Sequence, residues 1–170
     1  MKTLHLLRHA KSDWSDPALD DHDRPLNRRG QRALRLLVAH TAAWRVDLVV
    51  CSTAVRAKAT AAPVVRALGC AVQFEPNVYD ASAADLLDVV QHLPTGATVA
   101  MIVGHNPGLE SLTTVLSGAH ARYPTAALGT LTFDIERWAD IEPGSGRLVS
   151  VVTPAELESR AAELPPRSAP

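Results

Sequence analysis

Phenylalanine, tyrosine and tryptophan together supply only 4% of this 170-residue chain, and the formal net charge is -1. A dedicated nucleic-acid surface normally combines a basic excess with stacking rings, so that class of function is not expected. Long apolar runs are missing as well. Nothing approaches the roughly 20 apolar residues that span a bilayer, and Met1-Lys2-Thr3-Leu4-His5 leads into an apolar run with no signal-peptide cleavage pattern. The expectation is a cytoplasmic protein with no membrane partner. Cysteine is scarce: Cys51 and Cys70 lie on different elements at neither metal-type nor redox-type spacing, which points to reduced thiols.

What is present is a chain 46% hydrophobic, enough for one compact domain with a real core. Residues 1–163 read as that domain. Leu164-Pro165-Pro166-Arg167-Ser168-Ala169-Pro170 reads as a disordered tail. Short β-rich runs near Thr3 to Leu7, Asp47 to Cys51, Ala71 to Phe74 and Thr98 to Val103 alternate with amphipathic stretches. That alternation predicts an α/β fold of three layers, a mostly parallel central sheet flanked by helices. Leu34, Leu37, Val38 and Thr41 mark one buried helical face after Asn27, and Leu86, Val89, Val90 and Leu93 another after Ser82. Asn106 followed by Pro107 predicts a capped helix start. Leu128 to Ile135 and Arg147 to Val152 read as closing strands, and Thr153-Pro154-Ala155-Glu156 as a capping box opening a last helix.

Three apolar strands end in polar residues ahead of a helix: Leu6-Leu7-Arg8-His9-Ala10-Lys11-Ser12, Val49-Val50-Cys51-Ser52-Thr53-Ala54-Val55-Arg56, and Met101-Ile102-Val103-Gly104-His105-Asn106-Pro107. If the strands are parallel, Arg8, His9, Arg56 and His105 converge on one edge, where open α/β sheets place their chemistry. Two guanidinium forks facing two imidazoles suit a dianionic phosphoryl group. Phosphoryl transfer is mainly positioning and charge stabilisation, so such a cluster supplies most of an active site.

Together these segments resemble the histidine phosphatase superfamily, with a phosphoglycerate mutase-like fold. Its members share an Arg-His pair after the first strand, a second arginine after the next, and a late histidine. The Leu7-to-Ser12 segment with Arg24-Pro25-Leu26 and Arg29-Gly30 looks more like the small SixA-type phosphohistidine phosphatases than the longer mutases. The resemblance implies His9 as nucleophile, Arg8 and Arg56 as phosphoryl clamp, and His105 as a donor to transition-state charge, with Ser12 joining Arg8, Arg56 and His105 as a substrate contact. It implies no cofactor and no metal. Ala10 stands where many members have glycine. A short Asn77–Ser82 connector occupies the region where mutase-like relatives carry a covering insertion and a glutamate acid. Asp21 and Asp80 are therefore the candidates for protonating the leaving group, although the Asp20–Asp23 run reads equally as a charged loop. A site without a lid favours a phosphohistidine borne by a protein. A small phosphorylated substrate is the alternative.

Two rival enzymes and one binding function have a basis in the residues. Cys51 and Arg56 sit on a strand-to-helix turn as in cysteine phosphatases, but with four residues between them rather than five. His9, His22 and His105 with nearby aspartates could suggest a metal hydrolase, against which the adjacent arginines would repel a divalent cation. A non-catalytic phosphoprotein-binding module would keep the same pocket.

Overall fold

The computed structural model describes residues 1–163, so the tail expected at 164–170 lies outside the described residues. Six strands form one sheet: β1 (Lys2–Arg8), β2 (Leu48–Cys51), β3 (Ala71–Phe74), β4 (Val99–Gly104), β5 (Leu128–Phe133) and β6 (Gly146–Val152). Their order is β3-β2-β4-β1-β5-β6. The first four are mutually parallel; β5 runs antiparallel to β1, and β6 antiparallel to β5.

Five helices cover the faces: α1 (Arg28–Thr41), α2 (Val55–Leu68), α3 (Ala83–Gln91), α4 (Gly108–Ser117) and α5 (Pro154–Glu163). Successive strand residues point to opposite faces, and two apolar clusters follow from that alternation. Leu7, Val49, Met101 and Val103 pack with Leu34, Leu37, Val64 and Leu157 of α1, α2 and α5. Leu4, Leu6, Val50, Ala100 and Ile102 pack with Leu86, Val90, Leu109 and Leu112 of α3 and α4. The result is the expected three-layer architecture.

Register decides where the strands stop. Arg8 pairs with Gly104, and Val103 pairs with both Leu7 and Cys51. The ladder then runs one step further, with His9 N–H donating to Gly104 O and Ser52 N–H to Val103 O, each at 3.0 Å. Three parallel strands therefore end abreast, with β4 between β1 and β2.

Local chemistry sets the helix starts. The Asn27 side chain accepts from Gly30 N–H at 2.9 Å; Ser82 and Asp85 form a reciprocal capping box; and Thr153 with Glu156 forms the predicted one. The expected Asn106 cap is corrected. Helix α4 begins at Gly108 after a cis Asn106–Pro107 bond, and no side chain caps it. Asn106 instead donates to Glu110 Oε1 at 2.9 Å and to Tyr123 O at 3.0 Å, partners only tertiary structure could supply. Ala10 avoids the left-handed region, so no glycine is required there.

Gly30 lies in the first turn of α1 directly against the loop that follows His9, and an added Cβ would come within 2.4 Å of Lys11 O. Alanine ordinarily stabilises a helix relative to glycine by about 1 kcal/mol. Here the sign reverses: Gly30→Ala is expected to lower stability by about 1–3 kcal/mol through overpacking, read as a reduced urea midpoint. An unchanged or raised midpoint would show that the loop gives way freely.

Candidate active site

Arg8 and His9 end β1, Arg56 lies in the first turn of α2 behind β2, and His105 follows β4. His9, Arg56 and His105 are all buried. The Arg56 guanidinium stands among the other groups: Nε points to His9 Nε2 at 3.4 Å, and one terminal nitrogen reaches His105 Nδ1 at 3.3 Å and Asp21 Oδ2 at 2.7 Å. The other terminal nitrogen donates to Asp21 O. The histidine rings lie 4.9 Å apart. Arg8 is anchored on the far side by a 2.6 Å bond to Tyr123 O, while its buried Nε has no partner.

His9 Nδ1 lies 2.8 Å from Ala10 O. A carbonyl only accepts, so Nδ1 carries the proton and Nε2 keeps its lone pair. Burial, helped by the charges of Arg56 and Arg8, lowers the His9 ring to about 4. Burial again, with His9 and Arg56, lowers His105 to about 3. Both imidazoles are thus neutral at neutral pH. His105 Nε2 lies 2.8 Å from Ser52 Oγ, and its Nδ1 accepts from Arg56.

Among the acid candidates, Asp21 is the one brought to the cluster. Burial would raise its carboxyl, but hydrogen bonds from Arg56 and Tyr79 and the Arg56 charge outweigh that and hold it below the usual carboxylate range. Asp80 is exposed, takes a left-handed φ of 49°, and among the described residues makes no side-chain hydrogen bond to the cluster. Ser12 is buried, but its hydroxyl accepts from Trp14 Nε1 at 3.0 Å, and the Trp14 ring stacks on Arg24 at 4.1 Å. The residues around Ser12 therefore show it holding the loop, with no bond to Arg8, Arg56 or His105.

Three contributors were not singled out from sequence. Tyr79 donates to Asp21 at 3.0 Å and sets its ring edge-on to His105 at 5.4 Å. Thr60 accepts from Ala10 N–H and donates to Arg56 O one turn back in α2, tying the chain after β1 to that helix. Ser52 holds His105. Only Ser52, at a strand end, carried a positional signal.

The rival sites fare differently. Cys51 is packed in the core, its thiol donating to Ser52 O at 3.2 Å, and burial pushes it up to about 12. A thiolate nucleophile is therefore not available there. His22 bonds to Thr53 and Asp23. Among the described residues no group of three His, Cys, Asp or Glu side chains stands close enough to hold a metal ion, and no helix is long and apolar enough to cross a membrane.

The family model of the histidine phosphatase superfamily (branch 1) matches residues 4–91, which include Arg8, His9 and Arg56. The chain belongs to that superfamily. An uncharacterized protein of Mycobacterium tuberculosis is 34% identical over 163 residues, covering 87% of this chain and 99% of its own. An uncharacterized chloroplastic protein of Arabidopsis thaliana is 31% identical over 170 residues, covering 90% and 78%. Among solved structures, a candidate phosphohistidine phosphatase SixA of Nakamurella multipartitia superposes with a TM-score of 0.80 at 28% identity, covering 90% of this chain and 96% of that one. Its counterpart from Agrobacterium tumefaciens gives 0.77 at 27%, covering 89% and 97%. Superfamily and neighbours together identify a phosphatase of the histidine-phosphatase type, in its SixA-type branch.

The lowered histidines make a pH prediction. Both free imidazoles take up protons near pH 6.5 when the chain unfolds, whereas the folded rings hold none until about pH 4 for His9 and about pH 3 for His105. Between those limits the unfolded state binds more protons, so stability rises with pH and is lost as pH falls from about 6.5 toward 4 for His9 and toward 3 for His105. Nitrogen-15 NMR is expected to find His9 as the neutral Nδ1–H tautomer at pH 6. A ring titrating near 6.5 would contradict the described environment.

Proposed function

We propose that the protein is a metal-independent phosphohistidine phosphatase acting on phosphorylated protein through a phosphohistidine enzyme intermediate. The observation that carries this reading is the Ala10 carbonyl on His9 Nδ1, which aims a neutral Nε2 lone pair into a cluster of two arginines. His9 Nε2 attacks phosphorus, a new N–P bond forms, and the P–N bond to the substrate imidazole breaks. Water then attacks phosphorus, the His9 N–P bond breaks, and phosphate leaves with His9 restored. Arg8 and Arg56 hold the phosphoryl oxygens through both steps, and the incoming dianion raises His105 enough for it to take a proton and donate at Nδ1.

Arg56 also links phosphate binding to the acid. Phosphoryl oxygens compete with Asp21 for the same guanidinium, and a carboxylate that loses its cation regains proton affinity. Asp21 is for that reason the acid assigned here, ahead of Asp80. A departing imidazole needs little help when its other ring nitrogen carries a proton, because it then keeps the bonding pair and leaves as the neutral base; an alkoxide must be protonated as it leaves. The short connector over residues 77–82 supports a substrate side chain entering from another protein. Hydrolysis of a small phosphorylated substrate is the second reading, favoured by the placing of the Asp21 carboxyl on Arg56 at the cluster, since an ester leaving group needs an acid there.

Rapid-quench labelling with a phosphorus-labelled phosphohistidine protein is expected to give an acid-labile, alkali-stable adduct that is lost in His9→Ala, kept in Cys51→Ser, and insensitive to chelator. Loss in Cys51→Ser alone would reinstate the thiolate route, and no adduct in any variant would favour a binding module. Asp21→Asn is expected to slow an alkyl phosphate about 100-fold, within the usual range for general acid catalysis, while slowing a phosphohistidine peptide less than about tenfold. Equal losses on both substrates would take the acid role away from Asp21.

A further inference from the structure

Beside the cluster lies a cavity of about 360 Å³, walled by Lys11, by Arg29 and Arg32 of α1, by Thr125, and by Thr153 and Glu158 at α5. Three cations face one carboxylate there, on a chain whose net charge is -1. Lys11, Arg29 and Arg32 are exposed, and among the described residues none has a side-chain hydrogen bond or a salt bridge. These are cations that the fold leaves available.

Topology puts the cavity at the same end of the sheet as the catalytic cluster. Lys11 is two residues past His9, hence within about 7 Å of it along the chain, and its carbonyl accepts from Asn27 N–H at 3.0 Å. Ala126, next to Thr125, donates its N–H to the carbonyls of Arg8 and His9 at 3.2 and 3.1 Å. Strand β6 runs in the direction of β1, so Thr153 also lies at this rim. A polypeptide whose phosphorylated residue reached His9 would carry its flanking residues over this opening.

We propose that the cavity is a docking subsite for Asp or Glu side chains flanking the phosphorylated residue of a protein substrate, an inference that rests on the phosphoprotein reading above. The phosphoryl site itself is built from a buried Arg56 and a half-buried Arg8, each held by hydrogen bonds within the fold. Here the cations are long, exposed and spread around an opening, which suits several carboxylates on a moving chain rather than one small anion. Charges of this kind act on encounter and on KM more than on the chemical step.

The test uses two phosphohistidine peptides of equal length, one with Glu and one with Gln at the flanking positions, and a small phosphoramidate that cannot reach the cavity. The wild type is expected to prefer the acidic peptide about tenfold in kcat/KM, through KM, with the preference shrinking in 0.5 M salt. Arg29→Glu combined with Arg32→Glu is expected to abolish that preference while phosphoramidate turnover stays unchanged. Arg29 lies in the first turn of α1, where an acidic residue suits the helix dipole, and Arg32 is exposed on the next turn, so the double variant should fold. Equal kcat/KM for the two wild-type peptides, or a preference that survives the charge reversal, would overturn the docking subsite alone. Turnover of phosphoramidate with neither peptide hydrolysed would overturn the phosphoprotein reading and this subsite with it.

Discussion

The guanidinium of Arg56 is buried, its side chain only 8% exposed, and its donors radiate to His9, His105 and Asp21. A buried cation is tolerated only when it is paired and hydrogen-bonded. Asp21 provides the pairing, and that contact brings the turn over Asp21–Asp23 onto the cluster. Tyr79 approaches from the opposite connection and bonds to the same carboxylate. One charge thus organises both loops bordering the reaction centre, and any anion entering it must renegotiate that charge with Asp21.

The backbone makes this arrangement possible before any side chain is chosen. Because Leu7, Val103 and Cys51 are level in the sheet, the residues after them emerge side by side. Thr60 of α2 then holds the chain after β1 against that helix, accepting from Ala10 N–H at 2.9 Å while donating to Arg56 O one turn back at 2.7 Å. On the other flank Tyr123 is fully buried, with its hydroxyl against Gly129, where a Cβ would fall within 1.8 Å of it. Gly129 therefore lets the ring close in, and the Tyr123 carbonyl is held where Arg8 donates to it.

Arg8, His9, Arg56 and His105 were legible because strand ends can be read from apolar runs, and a parallel sheet aligns such ends whatever the loops do. The three layers and both buried helical faces were legible for the same reason: their signals are periodic and local. Asp21 was half legible, since a run of aspartates marks charge without marking its partner. Asn106 misled, because capping is a local preference and Glu110 with Tyr123 offered it better bonds across the fold. Tyr79 and Thr60 carried no signal, as their contacts exist only once two distant segments have met. Ser12 was carried over with the motif that holds Arg8 and His9, whereas the neighbour its hydroxyl found was Trp14.

Burial that costs stability also sets the chemistry. Removing His9 and His105 from water and surrounding them with guanidinium charge disfavours both imidazolium forms. For His9 as the proposed nucleophile that is an advantage: a proton on Nε2 would occupy the lone pair that reaches phosphorus, and burial keeps that nitrogen unprotonated well below pH 7. For His105 the same effect is a handicap that a phosphoryl dianion removes, because the anion supplies the countercharge the ring lacks. The two histidines start in the same protonation state, and in the proposed mechanism the substrate differentiates them, neutralising the field around one while bonding to the other. Under the proposed mechanism, phosphate binding at such a cluster itself brings a proton to His105, just as competition for Arg56 returns proton affinity to Asp21.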